Sequence, residues 1–218
     1  MKQLLILVEG QTEEAFVKEV LNPYLNPYGK HLNPTIINTK IIRGGKNYKG
    51  GLTNYGQVRR DLFRLVQQNS LTVTTFFDYY GLPNDFPGVI TRDNFPSNQQ
   101  RVSHIEQSLL DDIGSRNLIP YIQLHEFESL LFTSMEGFQY CCQNPAQLEM
   151  FQRIIDEFSN PEDINDGLTT APSKRILSIL PNYEKPFQGC MISLVNRIEN
   201  TLERCPHFAD WMQKLIAC

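Results

Sequence analysis

Several things are missing from this 218-residue sequence, and each absence narrows what the chain can do. No apolar stretch approaches the ~20 residues a membrane span needs. The opening MKQLLILVEG carries only a short apolar run before charge, so it reads as a buried first strand and not as a signal peptide. Five cysteines, Cys141, Cys142, Cys190, Cys205 and Cys218, are odd in number and form no CxxC pair. That usage supplies no zinc framework and fits a reducing, cytoplasmic setting. Neither GxxxxGK[ST] nor GxGxxG occurs, which argues against ATP hydrolysis by this chain. There is no internal repeat and no low-complexity tract. A net charge of −4 excludes a surface coated in positive charge, while leaving room for a local basic groove. With 41% hydrophobic and 20% charged residues, the composition is that of an ordinary globular chain long enough for a sizeable core.

What is present alternates. QLLILV predicts a strand, and TEEAFVKEVLNPYL an amphipathic helix capped by Thr12. PTIINTKII predicts a second strand, and YGQVRRDLFRLVQQ a helix with Val58, Leu62, Leu65 and Val66 on one face. LTVTTFF is a third strand, rich in β-branched and aromatic residues. SNQQRVSHIEQSLLDDIG follows as a helix stopped by Gly114, NLIPYIQL is a fourth strand, and FESLLFTSM opens another helix. Strand–helix alternation implies an α/β fold with a mostly parallel central sheet flanked by helices, because parallel neighbours need crossovers. From about Pro145 the spacing becomes helical throughout. The division expected is a 1–140 α/β core with a 141–218 helical C-terminal region packed on it.

Three carboxylate-bearing segments stand where strands should end: Glu9-Gly10 after LLILV, Asp78 after TVTTFF, and His125, Glu126 and Glu128 after LIPYIQL. In an open α/β sheet, the crevice beyond the strand C-termini is where ligands bind. Acids gathered there repel unless a cation neutralises them, and hard oxygen donors suit Mg²⁺ or Mn²⁺. Each also has a plainer reading. Glu9 serves equally as a strand-end acid with Gly10 making a sharp turn, and Asp78 as a turn opener. Asp85 lies within reach of the same cation but reads better as a solvated turn residue. His125 is either a hydrogen-bonded structural histidine or a general base. Glu13 and Glu14 need no role beyond complementing the helix N-terminus.

A basic block runs from Lys40 to Arg64 and includes Arg43, Lys46, Lys49, Arg59 and Arg60, with Tyr48 and Tyr55 between the cations. Cations of this kind neutralise phosphates, and aromatic rings stack on unpaired bases; a solvated loop and helix face is the alternative. Ser173 with Lys174 and Arg175 marks a helix start of the type that binds anions. Lys185, in NYEKPF, is an isolated cation.

Taken together, VEGQTEEAFV, DYYGLPNDFPG, QLHEFESLLF, INDGLTTAPSKRI and CPHFADWMQKL resemble a bacterial family of unknown function placed in the Toprim superfamily, over nearly the whole chain. The resemblance implies a compact α/β fold binding Mg²⁺ through a Glu after the first strand and a DxD pair after a later one. Glu9 matches the first motif and Asp78 the first acid of the second. Tyr80 stands in place of the second DxD acid, leaving Glu128 or Asp85 to supply that ligand. By analogy with OLD-type nucleases and anti-phage Toprim effectors, the resemblance further implies a nuclease acting on DNA or RNA, partnered with a separate ABC-type ATPase. On that view Glu9, Asp78 and Glu128 hold one or two Mg²⁺ or Mn²⁺ ions, and Lys185 or Lys174 neutralises developing charge. A catalytically silent Toprim-like binding module and a phosphohydrolase of small nucleotides are the other two expectations.

Overall fold

The first strand is buried on both sides, and the rest of the chain is arranged around it. In the computed structural model, residues 1–37, 52–68, 71–164, 167 and 169–218 are described. Strand β1 (Lys2–Val8) pairs in parallel with β2 (Lys30–Ile36) on one side and β3 (Thr72–Asp78) on the other. Short strands β4 (Leu118–Ile119) and β5 (Ile122–Gln123) both pair in parallel with β3, giving the order β2-β1-β3-β4 with β5 beyond it on β3. Val8 lies opposite Phe76, so β1 and β3 end at nearly the same level. The residues that follow them therefore emerge side by side.

Side chains alternate across the sheet and build two cores. Leu4, Ile6, Val8 and Phe76 face one, and Leu7, Val73 and Phe77 face the other. The second core is closed by α3 (Tyr55–Val66) and α4 (Asn98–Ile113), through Val58, Leu62, Leu65, Val102, Ile105 and Leu109. On the opposite face lie α1 (Gln11–Phe16), its continuation through a π-helical turn at Val17–Leu21 into α2 (Asn22–Leu25), and the helical C-terminal region. That region comprises α5 (Glu136–Cys141), α6 (Pro145–Glu157), α7 (Pro172–Ile179), α8 (Cys190–Asn196), α9 (Ile198–Arg204) and α10 (Pro206–Ala217). Helix α10 docks by stacking Trp211 on Tyr121, with centroids 4.1 Å apart, while the indole N–H donates to Thr74 Oγ1 at 2.9 Å. Among the described residues no helix is long and apolar enough to cross a membrane.

Several local expectations are corrected. The second strand begins at Lys30 rather than Pro34, and Pro34 lies inside it. This is tolerated because β2 is at the sheet edge, where one missing N–H costs no ladder bond. The fourth strand is split at Pro120-Tyr121. Two threonines bridge the break: Thr74 Oγ1 donates to Ile119 O, and Thr75 Oγ1 exchanges hydrogen bonds with Tyr121 O and N. The first helix starts after Gly10, with no side-chain cap, and Thr12 is buried in its first turn. Gly10 has φ −159°, an extended conformation open to any residue, so its backbone freedom is not what makes this turn.

Gly114 does stop α4 in the left-handed region, at φ 65°, and Ser97 and Gln100 form a capping box at the other end. The Asp85 carboxylate accepts the Tyr55 N–H at 3.0 and 3.1 Å, which ties the start of α3 to the loop after β3. Asp85→Ala should therefore lower stability by about 1 kcal/mol, a typical cost for losing a helix N-terminal acceptor. Urea unfolding checks this, and an unchanged midpoint would contradict it.

Candidate functional site

Glu9 and Asp78 leave adjacent parallel strands at matched height, and the backbone fixes both. Glu9 Oε1 accepts the Asp78 N–H at 2.7 Å, and Asp78 Oδ1 accepts the Phe127 N–H at 2.8 Å. The third segment is brought in by a sharp corner at His125, which has φ 62° in the left-handed region. A non-glycine residue there carries a cost of about 1 kcal/mol or more, accepted where the surroundings hold it. The corner turns the His125 carbonyl toward the Tyr80 N–H at 3.0 Å and sets Phe127-Glu128 against Asp78. Glu128 is almost fully buried, and its Oε2 makes no hydrogen bond of acceptable geometry.

The point these acids share is the ammonium of Lys185. Its Nζ lies 3.1 Å from Glu128 Oε2, 3.4 Å from Asp78 Oδ2 and 3.7 Å from Glu13 Oε1. Glu13 thus stands where Glu9 was expected, one helical turn further on, and Glu9 sits behind against the Asp78 backbone. Lys185 is one of the cations that the sequence resemblance implies at this site, whereas Glu13 reads in the sequence only as complementing the helix N-terminus. Glu13 carries one usable signal, its place as an acid in the first turn of the helix that follows Glu9. Lys185 carries no local signal, being 107 residues from Asp78. Among the described residues no set of three or more His, Cys, Asp or Glu side chains is arranged as a ready metal cage.

The remaining candidates fall into place around this cluster. Glu126 Oε2 accepts the Ser173 N–H at 3.0 Å, so the anion at the start of α7 is the protein's own carboxylate. Arg175 donates to Thr170 O, pairs with Glu157 at 3.8 Å and lies over the Phe158 ring, whereas Lys174 is exposed. The His125 ring is fully buried beside Tyr79, with Nε2 3.4 Å from Asn98 Nδ2. Asp85 is at the start of α3 and outside the cluster. Arg59 and Arg60 are exposed on α3, Arg59 pairing with Asp112 at 2.8 Å. Lys40, Arg43, Lys46 and Lys49 lie outside the described residues.

Electrostatics follow from the geometry. Burial is the largest influence on Asp78 and lifts its carboxyl from 3.8 to about 7, with Lys185 opposing and Glu13, Glu128 and Glu126 reinforcing. Burial likewise pushes Glu9 well up, helped by Asp78 and Glu13, and raises Glu128 against the pull of Lys185. Lys185 goes the other way: burial would lower it, but Asp78, Glu128 and Glu13 together hold its proton more tightly than usual. A carboxyl raised on folding binds its proton more readily in the folded state, so its stabilising contribution is full below pH 3.8 and fades as pH rises through about 7. Stability from Asp78 should thus decline between about pH 4 and 7, opposite to the usual carboxylate trend. The check is urea unfolding across that window for the parent and Asp78→Asn. The parent should lose stability relative to the variant as pH rises, and parallel profiles would contradict this.

A family model matches residues 8–216. The chain belongs to DUF4276, a domain of unknown function. No curated protein matches this DUF4276 chain. Two solved structures of the C-terminal region of the Xanthomonas campestris pv. campestris OLD protein, phased with iodine and with platinum, are similar to it. Each is 15% identical, covering 98% of this chain and 95% of its own, at a TM-score of 0.39.

Proposed function

We infer that this chain is a divalent-metal-dependent nuclease hydrolysing phosphodiesters of DNA or RNA, of the Toprim type that its motifs resemble. One observation carries the reading: Glu9 and Asp78 stand at the ends of neighbouring parallel strands, each with an oxygen pinned by a backbone N–H, and the second Asp78 oxygen faces the same point as buried Glu128 and Glu13. Pinning one oxygen and leaving the other for a cation is how ligating carboxylates are oriented in metal sites. The donor set is all carboxylate, which suits Mg²⁺ or Mn²⁺. The Glu128 carboxylate is buried, and its Oε2 faces the Lys185 ammonium at 3.1 Å.

Glu9, Asp78 and Glu128 would hold the ion, and Glu13, which shares Lys185 with Asp78 and Glu128, would join them. When bound, such an ion polarises the phosphodiester and lowers the pKa of an attacking water. The residues themselves do the rest. Asp78, titrating at about 7, gives up its proton near neutral pH as the site takes up positive charge. Lys185, fully protonated, neutralises charge building on the phosphate. Arg59 and Arg60, with Arg43, Lys46 and Lys49, would follow the backbone of the nucleic acid. The same resemblance supports an effector working with a separate ABC-type ATPase in anti-phage defence, in the cytoplasm.

A second reading is a silent Toprim-like binding module. Lys185 favours it, because a protein-borne cation already balances the carboxylates, and so does Tyr80 in place of a second acid. Incubation with Mn²⁺ and plasmid, single-stranded DNA or tRNA separates the two. Cleavage by the parent, lost in Glu9→Gln and Asp78→Asn, supports the nuclease, and no cleavage of any substrate supports the silent module.

A further inference from the structure

Two large aromatic rings stand in solvent on the turns that build the site. Tyr80 is 47% exposed and Phe187 is 67% exposed. Tyr80 lies two residues after Asp78, and Phe187 two residues after Lys185. The charged atoms of Asp78 and Lys185 are 3.4 Å apart, so the turns converge there. Neither ring is left out by looseness of the chain. The Tyr80 N–H is held by the His125 carbonyl at 3.0 Å. The Phe187 turn is closed twice, by Gln188 N–H to Glu184 O at 2.8 Å and Glu184 N–H to Gln188 Oε1 at 2.6 Å. Most aromatic rings among the described residues are buried, and of the exposed ones Tyr80 and Phe187 are those whose turns carry residues of the carboxylate cluster.

Cations border both turns, although neither sits on an exposed ring. Lys185 opens the Phe187 turn with its ammonium directed at the carboxylates, and the Arg92 guanidinium lies 5.2 Å above the ring of Tyr79, the residue before Tyr80. Aromatic faces beside cations are the pattern that binds single strands, where bases stack and phosphates are neutralised. Duplex bases have no free faces to offer such rings.

We propose that Tyr80 and Phe187, on the turns that carry Asp78 and Lys185, are stacking platforms for unpaired bases, which makes the substrate class single-stranded or locally unpaired nucleic acid. This rests on the nuclease reading for its site but not for its test. Base stacking on a protein ring contributes about 1–3 kcal/mol, so each ring removed should weaken binding roughly ten-fold. The experiment is fluorescence anisotropy with labelled oligothymidylate and with a blunt duplex, each in EDTA and in Ca²⁺.

Tyr80→Ala and Phe187→Ala should each lose about ten-fold on the single strand in both buffers, with duplex affinity unchanged. Tyr80→Phe and Phe187→Trp, which keep a ring, should bind as the parent does. The proposal is overturned if the Ala variants hold the single strand as tightly as the parent. It is equally overturned if single strand and duplex weaken together, or if the parent binds no single strand in either buffer. Rings that serve a protein partner instead would give the first or last of these results. A metal site that does not exist would show separately, as parent affinity indifferent to Ca²⁺.

Discussion

Asp78→Asn is expected to reduce Mn²⁺-dependent phosphodiester hydrolysis on the order of 10²–10³-fold, the usual loss when one preorganised electrostatic element is removed from a reacting centre. The fold should survive the change. Asn keeps an oxygen for the Phe127 N–H, the bond that Asp78 Oδ1 accepts at 2.8 Å. It replaces the oxygen that accepts from Lys185 at 3.4 Å with an amide NH2, so one charge and one acceptor are lost from the cluster. In EDTA above neutral pH the variant should be at least as stable as the parent, because a carboxylate that burial pushes to about 7 is unfavourable when ionised. Sites built for chemistry commonly carry such strain. Lost activity with lost stability would mean that Asp78 is a structural acid, and retained activity would remove it from the reaction.

Lys185→Met should have the largest effect on the protein without metal. The ammonium lies 3.1, 3.4 and 3.7 Å from three carboxylate oxygens, and Met fills similar space without charge. Removing one partner of a buried ion pair strands the other, at about 3–5 kcal/mol when burial is complete. The Lys185 side chain is 33% exposed, so solvent screens part of this and about 2 kcal/mol is the expected loss. For a chain of this size that is roughly 4–8 °C in melting temperature in EDTA. Mn²⁺ should recover the loss, because the divalent ion supplies the missing charge and stabilises the folded state by mass action. An EDTA melting temperature equal to the parent's would show that Lys185 does not hold the cluster together.

The strands that carry the first two acids were readable because their signals are local. LLILV and TVTTFF are short apolar runs that a sheet buries on both faces, and each is followed at once by Glu9 or Asp78. The close of α4 was equally legible, since Gly114 takes the left-handed conformation that other residues avoid. What escaped depends on tertiary placement. Pro34 looks like a strand start until β2 proves to be an edge, where a proline is harmless within the strand. Pro120 gave no hint that Thr74 and Thr75 would bridge the interrupted strand.

The site divides along the same line. Glu126 sits among the acids in sequence, yet its carboxylate is turned to the Ser173 N–H across 47 residues of chain. Asp85, in the same loop as Asp78, proves to cap α3. Glu13 reads as a residue suited to a helix N-terminus, and only the placement of Lys185 shows that it faces the cluster. Lys185 itself belongs to a π-helical turn in a polar stretch, and nothing near it in sequence points toward β3.

The most direct measurement is a Mn²⁺ titration of the unliganded protein by isothermal calorimetry at about pH 8, where the Asp78 carboxyl is largely ionised, repeated on Glu9→Gln and Asp78→Asn with thermal melts to confirm folding. The parent should bind Mn²⁺ more tightly at pH 8 than at pH 6, where binding must displace the Asp78 proton, and both variants should fold and bind at least ten-fold more weakly at pH 8. Folded variants that bind Mn²⁺ as the parent does, or a parent that binds none, would contradict a divalent-cation site at the ends of β1 and β3.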